Sequence, residues 1–273
     1  MDISPREFGQ VSRSAAVRQP QAALPRFSVL GVHVAAVQTR DAVARMEGWI
    51  AERAGCHFIA VTGMHGVVES QRDSSFKQIL NSADLVVPDG MPLVWLGRRQ
   101  GHSLKHRVTG PELMAAFCQT TGSRYRHIFY GGAAGLAADL ARILSQRHGL
   151  RVVGTCSPPF RTLTEQEDKD LLAQIEEAAP DVLWVGLGTP KQERWMYDHQ
   201  DKLSVPVMVG VGAAFDFVTA RVKRAPGWMQ ENGLEWLFRL AQEPRRLWRR
   251  YLIYGSVFAW NVSLELLGLK RFE

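Results

Sequence analysis

The sequence predicts an α/β protein with a Rossmann-like, doubly wound parallel sheet and a C-terminal helical basic appendage. Short runs that are almost continuously apolar recur along the 273 residues, and most of them end in glycine, as buried parallel strands do. Amphipathic helical patterns separate these runs, and this alternation predicts βαβ units with right-handed crossovers. After residue 217 the strand signal stops and the chain becomes basic and aromatic.

The predicted elements follow one another at regular intervals. The predicted strands are 58–63, 84–90, 127–132, 150–156, 181–188 and 205–212. The helical patterns between them include GVVESQRDSSFKQIL, GPELMAAFCQT, AAGLAADLARILSQR and EQEDKDLLAQIEEAA. Such sheets bind ligands outside the carboxyl ends of their strands, so the residues that follow each strand are the candidates for chemistry.

The chain divides into three predicted parts. Residues 1–25 mix Ser, Gln, Ala, Arg and Pro without an apolar run, which predicts a disordered lead and no secretory signal. Residues 26–220 form the predicted nucleotide-binding core, and residues 221–273 form the predicted appendage. Within 221–250 there are eight Lys or Arg against three Glu, and four of the eight tryptophans lie between 228 and 260.

Composition limits the partners and the compartment. A net charge of +6 and a pI near 9.5 favour an anionic partner, and nucleic acid, a phospholipid surface and a pyrophosphate all qualify. The three cysteines are widely spaced and odd in number, which favours a reducing compartment over a disulfide framework or a zinc site. The most apolar stretch, 251–269, contains Asn261 and Glu265 and is predicted to lie on a surface or to pack, not to span a membrane.

Polar side chains follow two runs that are close in sequence. Thr62 lies at the end of 58–63, His65 comes shortly after it, and Asp89 lies at the end of 84–90. If the two strands are neighbours, Thr62 and Asp89 open onto one rim, where the carboxylate could act as a general base. Asp89 with Gly90 also fits an ordinary turn and helix N-cap, and a single His is more often a hydrogen-bonding scaffold than a catalyst.

Three glycine-rich turns connect predicted strands to helices. In GLGTPKQERWM, Gly188 allows close backbone approach, and the helix start beside Lys191 and Gln192 suits a phosphate or a uracil edge. GVGAAFD places Asp216 beyond the next strand, where an acid can accept from ribose hydroxyls, and YGGAAG at 130–135 is the third turn. The third glycine of a dinucleotide fingerprint is missing, which argues against a nicotinamide cofactor. Each turn alone is also an ordinary close-packing turn.

The sequence predicts that positively charged side chains, and not a metal ion, neutralise an anionic leaving group. The Asp-x-Asp pair, Asp168 and Asp170, lies in the acidic EQEDKDLL pattern and is predicted to be a solvated helix face. Arg107 and the appendage are then the available positive charge. Because EPRRLWRRYLIYGSVFAW places arginines directly beside aromatic residues, attachment to an anionic membrane surface is favoured over a helix pair packed on the core.

Four segments carry a family resemblance: VVPDGMPLVW, RVTGPEL, GLGTPKQERWM and GVGAAFDFVTARVKRAPGWMQENGLEWLFRLAQEPRRLWRRYL. On them the chain resembles the WecG/TagA/CpsF glycosyltransferases of bacterial cell-surface polysaccharide and exopolysaccharide synthesis, from about residue 28 to the C-terminus. The resemblance implies transfer of a hexose or N-acetylhexosamine (ManNAc-type) from a UDP-sugar to an undecaprenyl-diphosphate-linked sugar, with inversion and without a metal or cofactor. It implies a cytoplasmic enzyme that is peripheral on the inner face of the bacterial cytoplasmic membrane. It implies no nucleic-acid partner, and it leaves open whether the protein forms a homo-oligomer.

The resemblance also implies residue roles. Asp89 is the general base, with Thr62 and Arg107 in the same pocket. The implied UDP-sugar positions are His65, Gly188, Lys191, Gln192, Glu193 and Asp216. The implied diphosphate-binding residues of the appendage are Arg224, Arg239, Arg245, Arg246 and Arg249.

One departure from the family pattern leaves the donor sugar open. Many members carry Asn two residues after the pocket Thr, whereas this chain has Met64 followed by His65. N-acetylmannosamine, its uronic acid and glucose therefore all remain candidates. Two other functions stay open as well: a non-catalytic membrane-surface scaffold of a polysaccharide assembly complex, and a nucleotide-cofactor dehydrogenase.

Overall fold

The fold is described by a computed structural model over residues 24–272. The predicted lead therefore lies, up to residue 23, outside the described residues. The chain starts with an antiparallel hairpin of β1 (Arg26–Val29) and β2 (Val32–Ala35). The sequence did not predict this hairpin, because its strands have only four residues and its turn is Leu30-Gly31 instead of Asn-Gly. Both turn residues have positive φ, 51° and 79°, as a type I′ turn requires.

A six-stranded parallel sheet forms the centre of the molecule. Its strands are β3 (His57–Thr62), β4 (Leu85–Pro88), β5 (Arg126–Gly131), β6 (Arg151–Cys156), β7 (Val182–Gly186) and β8 (Val207–Gly210). They lie in the order β4-β3-β8-β7-β5-β6. All six predicted strands are present, and the Rossmann-like α/β class is confirmed.

Helices cover both faces of the sheet. They are α1 (Thr39–Glu52), α2 (Met64–Arg72), α3 (Ser74–Ser82), α4 (Met91–Arg99), α5 (Gly110–Thr121), α6 (Leu136–His148), α7 (Glu165–Ala178), α8 (Lys191–His199) and α9 (Ala214–Val218). The prediction of one continuous helix over GVVESQRDSSFKQIL is wrong, since α2 and α3 are separate helices. Asp73 between them is extended, at φ −136° and ψ 101°, and its carboxylate accepts from the Phe76 N–H at 3.1 Å, which starts a new helix.

The sheet is buried on both faces, which explains the continuous apolar runs in the sequence. Along β7 the side chains alternate: Val182 and Trp184 join one core layer, and Leu183 and Val185 join the other. The first layer includes residues of α1, α5 and α6, and the second includes residues of the hairpin, α2, α3 and α8.

The C-terminal segment, residues 221–272, is helical and packs beside the carboxyl ends of the strands. It contains α10 (Gly227–Glu231), α11 (Glu235–Gln242), α12 (Pro244–Trp248), a π-helical turn (Arg249–Ile253) and α13 (Tyr254–Leu266). Leu247 and Phe258 are its buried anchors, and α13 packs on α2. None of the described helices is both long enough and apolar enough to cross a membrane.

Candidate active site

Asp89 and Thr62 lie side by side at the carboxyl edge of the sheet. The strands β3 and β4 are neighbours with Thr62 opposite Pro88, and the Asp89 N–H donates to the Thr62 carbonyl at 2.9 Å. A Cβ atom on Gly63 would lie 2.4 Å from the Asp89 carbonyl oxygen, so only glycine permits this approach. The Val108 N–H donates to the Pro88 carbonyl at 2.9 Å, which fixes the adjoining Arg107 beside the same rim.

The Asp89 side chain is not a helix cap. The N-cap of α4 is Gly90, at φ 117°, and no side chain makes a capping hydrogen bond there. Within residues 24–272, no group donates a hydrogen bond to the Asp89 carboxyl. The ordinary turn-and-cap interpretation therefore does not account for this carboxylate.

Burial and nearby charges shift the pKa of Asp89. Burial raises the pKa of Asp89 from 3.8 to about 6, while the positive charges of Arg107 and Arg250 act in the opposite direction. The carboxylates of Glu235 and Glu112 add to the rise in this pKa. A carboxyl with a pKa near 6 is still ionised at neutral pH and is a stronger base than an ordinary aspartate, as general-base catalysis requires.

Arg107 connects the core to the C-terminal segment. Its guanidinium forms an ion pair with Glu235 and donates to Gln230 Oε1 at 3.4 Å. Arg224 donates to the same Gln230 oxygen at 2.8 Å and to Glu112 Oε1 of α5 at 2.8 Å. Both arginines are therefore already engaged by protein oxygens, and this network holds α10 and α11 against the rim.

Arg250 is the functional candidate that the sequence analysis did not select. It extends from the π-helical turn, and its charge acts on the pKa of Asp89, His65 and Glu193. Burial lowers the pKa of Arg250 itself, and no carboxylate of the described chain forms an ion pair with it. Nearby, the Arg239 guanidinium lies 5.0 Å from the centroid of the Phe217 ring. A partly buried cation that forms no ion pair within the described chain is suited to an anionic ligand.

The other three predicted diphosphate arginines are exposed. Arg245 is exposed, Arg246 forms an ion pair with Glu243 one turn before it, and Arg249 is exposed with its guanidinium 5.3 Å from the Trp248 ring centroid. These three side chains lie on the solvent side of α12 and the π-helical turn. Of the predicted set, Arg224 bonds to Glu112 and Gln230 beside the rim, and the charges of Arg239 and Arg246 act on the pKa of Arg250.

Gln192 is buried and holds two of the glycine turns together. Its Oε1 accepts from the Gly188 N–H at 3.2 Å and from the Gly212 N–H at 2.9 Å. Its Nε2 donates to Glu193 Oε1 at 3.0 Å. The side chain therefore positions the turns after β7 and β8, while Lys191 at the helix start is exposed.

The three glycine turns converge because their strands are adjacent. A Cβ atom on Gly131, after β5, would lie 2.5 Å from the carbonyl carbon of Gly186, after β7. Asp216 lies in α9, beyond the turn after β8, and is partly exposed. The three turns thus lie side by side at the carboxyl edge of the sheet and form the floor of the candidate site, with Asp216 next to it.

His65 lies in the first turn of α2, over the same rim. Burial, with the charge of Arg250, lowers the pKa of His65 to about 4, so the imidazole is neutral at physiological pH. Its ring packs on Tyr254 of α13 with centroids 4.9 Å apart, and its Nε2 lies 3.7 Å from Glu69 Oε1. The Tyr254 hydroxyl donates to the same Glu69 oxygen, which ties α13 to α2 directly below Arg250.

The Asp-x-Asp pair is occupied by protein contacts. Asp168 Oδ2 lies 3.0 Å from His199 Nε2, and Asp170 accepts from Gln166 at 2.7 Å. Over residues 24–272, no group of three or more His, Cys, Asp or Glu side chains is arranged to hold a metal ion. Independence from a metal remains a prediction.

Comparison with known proteins identifies the family. The model of the glycosyl transferase WecG/TagA/CpsF family matches residues 27–272, nearly the whole described chain. The chain belongs to this family. It is a glycosyltransferase, and the dehydrogenase interpretation is not retained.

Three similar proteins share the name N-acetylglucosaminyldiphosphoundecaprenol N-acetyl-beta-D-mannosaminyltransferase. The Bacillus spizizenii protein is 30% identical over 186 residues, which cover 67% of this chain and 70% of the relative. The Bacillus subtilis protein is 29% identical over 204 residues, covering 74% and 77%. A Staphylococcus aureus protein is 25% identical over 247 residues, covering 90% and 95%.

Proposed function

We propose that this glycosyltransferase transfers a hexose or N-acetylhexosamine from a UDP-sugar to an undecaprenyl-diphosphate-linked sugar, with inversion and without a metal. The observation that carries the proposal is the partly buried Asp89 carboxylate, whose pKa is raised to about 6 and on which the charges of Arg107 and Arg250 act. The names of the relatives support the acceptor, since they describe mannosaminyl transfer to N-acetylglucosaminyldiphosphoundecaprenol.

In the proposed reaction, Asp89 accepts the proton of the acceptor hydroxyl. The acceptor oxygen attacks the anomeric carbon from the face opposite UDP, and the bond between that carbon and the diphosphate oxygen breaks. The bonding electrons remain on UDP, where Arg250 stabilises the developing negative charge. Because Asp89 lies at the sheet edge and Arg250 on the C-terminal segment packed beside it, part of the barrier is removed by positioning.

The donor nucleotide is proposed to lie on the floor of glycine turns. Gln192 holds the turns after β7 and β8 in register, and Asp216 accepts hydrogen bonds from the ribose hydroxyls. In this arrangement Gln192 is a positioning residue, whereas Asp216 contacts the nucleotide.

A lipid-linked acceptor requires the enzyme to work at a membrane surface. Exposed aromatic and aliphatic side chains are concentrated in the C-terminal segment, next to the exposed Arg245 and Arg249. Apolar side chains rimmed by cations are suited to an anionic leaflet. We therefore propose a peripheral location on the inner face of the bacterial cytoplasmic membrane.

UDP release from a panel of UDP-sugars tests the proposal, with a lipid-diphosphate-linked N-acetylglucosamine as acceptor and EDTA present. Turnover that survives EDTA and is lost in Asp89→Asn is the expected result. Loss of turnover with EDTA would contradict metal independence, and an active Asp89→Asn variant would contradict the role of the base. Binding to vesicles without binding of UDP would support the scaffold instead.

A further inference from the structure

Three side chains form a hydrogen-bonded group between α13 and α2, and we call this group of Tyr254, Glu69 and Arg72 the Tyr254 cluster. The Tyr254 hydroxyl donates to Glu69 Oε1 and accepts from Arg72 Nη1 at 3.0 Å. The Arg72 guanidinium also lies 4.7 Å from the centroid of the Tyr254 ring. One hydroxyl therefore joins two charged side chains of the core to the C-terminal segment, through hydrogen bonds of the stronger, charge-assisted class.

The α2 residues of this contact lie on one side of their helix. His65, Glu69 and Arg72 follow one another at intervals of four and three residues, which places them on the same face of α2. The His65 ring packs on the Tyr254 ring with centroids 4.9 Å apart. One turn further along α13, Phe258 is buried. Tyr254 is thus the residue at which the start of α13 is fixed to α2.

The backbone connects Tyr254 directly to the turn that carries Arg250. Tyr254 is the first residue of α13, and its N–H donates to the carbonyl of Arg249, the first residue of the π-helical turn. Arg250 is the next residue of that turn. Because the turn is closed on Tyr254, the contacts that hold Tyr254 on α2 also hold the backbone from which the Arg250 side chain extends.

The members of the Tyr254 cluster lie outside the four segments that carry the family resemblance. The resemblance therefore assigns no role to Tyr254, Glu69 or Arg72. Their role has to be read from the contacts that they make in this chain.

Arg250 is the route by which the Tyr254 cluster reaches Asp89. The charge of Arg250 lowers the pKa of Asp89. Three other charged side chains act on this pKa, and all belong to the separate network around Gln230 described above: Arg107, Glu112 and Glu235. A change at the Tyr254 hydroxyl should therefore affect Asp89 through Arg250 and leave the Gln230 network in place.

We propose that Tyr254, Glu69 and Arg72 are positioning residues, which hold the Arg250 guanidinium at Asp89 and at the leaving diphosphate. This inference rests on the proposed function and deepens it, because it makes the rate depend on a hydroxyl that contacts neither substrate. Arg250 meets the leaving group, whereas the three residues of the cluster act only through Arg250.

The first test is Tyr254→Phe, which removes the hydroxyl and keeps the ring that packs on His65. Its kcat for UDP release should fall about tenfold, less than in Arg250→Gln, because the guanidinium is displaced and not removed. The matched control is Tyr197→Phe on α8, where the side chain is 42% exposed and kcat should be that of wild type. An unchanged kcat in Tyr254→Phe would overturn the inference.

A double variant separates positioning from a general loss of structure. If the Tyr254 hydroxyl acts through Arg250, adding Tyr254→Phe to Arg250→Gln should cause no further loss, so the double variant should have the kcat of Arg250→Gln. A structural defect would instead multiply the two losses. Losses that multiply would show that Tyr254 does not act through Arg250, and the proposal would be wrong.

Glu69 provides a conservative pair of variants. Glu69→Gln keeps an oxygen that accepts from the Tyr254 hydroxyl, so its kcat should stay near that of wild type. Glu69→Ala removes the acceptor and should match Tyr254→Phe. Equal kcat values in the two Glu69 variants would contradict the role of this hydrogen bond.

The pKa of Asp89 provides a test that needs no turnover. Because Arg250 lowers this pKa, its displacement in Tyr254→Phe should raise it, and ¹³C NMR titration of the Asp89 carboxyl, assigned with Asp89→Asn, measures the change. A lower kcat without a shift in this pKa would contradict the inference, since Arg250 would not have moved. If wild-type enzyme turns over no UDP-sugar although the pKa shifts, the proposed function fails and the positioning of Arg250 stands. If wild-type enzyme is active and Tyr254→Phe changes neither kcat nor this pKa, the function stands and the inference fails.

Discussion

At the scale of single residues, the burial that suits Asp89 to its proposed role as a base also reduces the stability of the fold. Its pKa rises from 3.8 in an unperturbed chain to about 6 in the folded protein, so folding binds the proton more tightly. As pH increases from about 4 to about 6, the unfolded state loses this proton first, and the free energy of unfolding decreases. A shift of about 2 units corresponds to about 3 kcal/mol above pH 6.

Asp89→Asn should therefore abolish turnover and stabilise the protein at neutral pH. The amide has nearly the same shape but carries no buried charge, so the melting temperature should rise at pH 8 and stay close to wild type at pH 4. Thermal unfolding at the two pH values measures the difference. Asp198→Asn, at an exposed position of α8, is the control and should show no pH-dependent gain. An equal stabilisation at both pH values would argue against a raised pKa for Asp89.

The same titration should limit the rate. Because the proposed base must be ionised, kcat/KM for the donor should fall as pH decreases through about 6, and this acidic limb belongs to the enzyme that has bound acceptor but not donor. A pH–rate profile of wild-type enzyme with saturating acceptor measures it. A flat profile down to pH 4.5 would mean that Asp89 has an ordinary pKa or is not the base.

At the scale of elements, the sequence was sufficient to predict the six strands of the sheet. It did not predict the hairpin of β1 and β2 or the break between α2 and α3. Five of the strands are buried along most of their length and are therefore almost continuously apolar, which made them recognisable, whereas the edge strand β6 has no buried residue and was recognised from its short apolar run alone. The break between α2 and α3 depends on one capping hydrogen bond, from the Phe76 N–H to the Asp73 carboxylate. The stabilisation from one such cap is small, so the sequence pattern fits one continuous helix and two separate helices about equally well. Propensity alone does not decide such a case.

The same limits apply to the candidate site. Thr62 and Asp89 could be predicted because they follow strands that the topology places together. Arg250 could not be distinguished from its arginine neighbours by residue type. A signal did exist, since Leu247, Arg250, Tyr254 and Phe258 recur at helical spacing and both apolar ends of the series are buried. The π-helical turn between them sets the final direction of the guanidinium, and no sequence pattern predicted that turn.

Substitutions at two neighbouring arginines of the π-helical turn, Arg250 and Arg249, test the role of this element. Arg250→Gln should lower kcat by about 10²–10³, the range for losing one donor to a developing oxyanion. It should also move the acidic limb of kcat/KM to higher pH, since the charge of Arg250 lowers the pKa of Asp89. Arg249→Gln, at an exposed residue of the same turn, should leave the limb in place. An unmoved limb in Arg250→Gln would show that this guanidinium does not face the base.

At the scale of the whole molecule, exposed hydrophobic side chains are concentrated in the C-terminal segment. Among residues 24–272, ten of the thirteen exposed large hydrophobic side chains lie between residues 228 and 269, and two helices and a loop of the α/β core carry the other three. Contiguous apolar surface of this kind is normally covered by a membrane or by another protein. A second copy of the chain remains the alternative to the membrane.

Binding to lipid vesicles distinguishes a membrane from a second copy of the chain as the partner of this apolar surface. Trp260 and Leu267 are 66% and 71% exposed at the end of the C-terminal segment, whereas Phe160 is 89% exposed on a core loop. The double variant Trp260→Ser/Leu267→Ser should bind phosphatidylglycerol vesicles more weakly than wild type, and Phe160→Ser should bind as wild type does. Added salt should weaken binding of all three, because it screens Arg245 and Arg249 from the anionic lipid but leaves apolar insertion intact. If the double variant instead changes only the sedimentation mass of the protein, this surface covers a second copy, and the lipid-linked acceptor must reach Asp89 by another route.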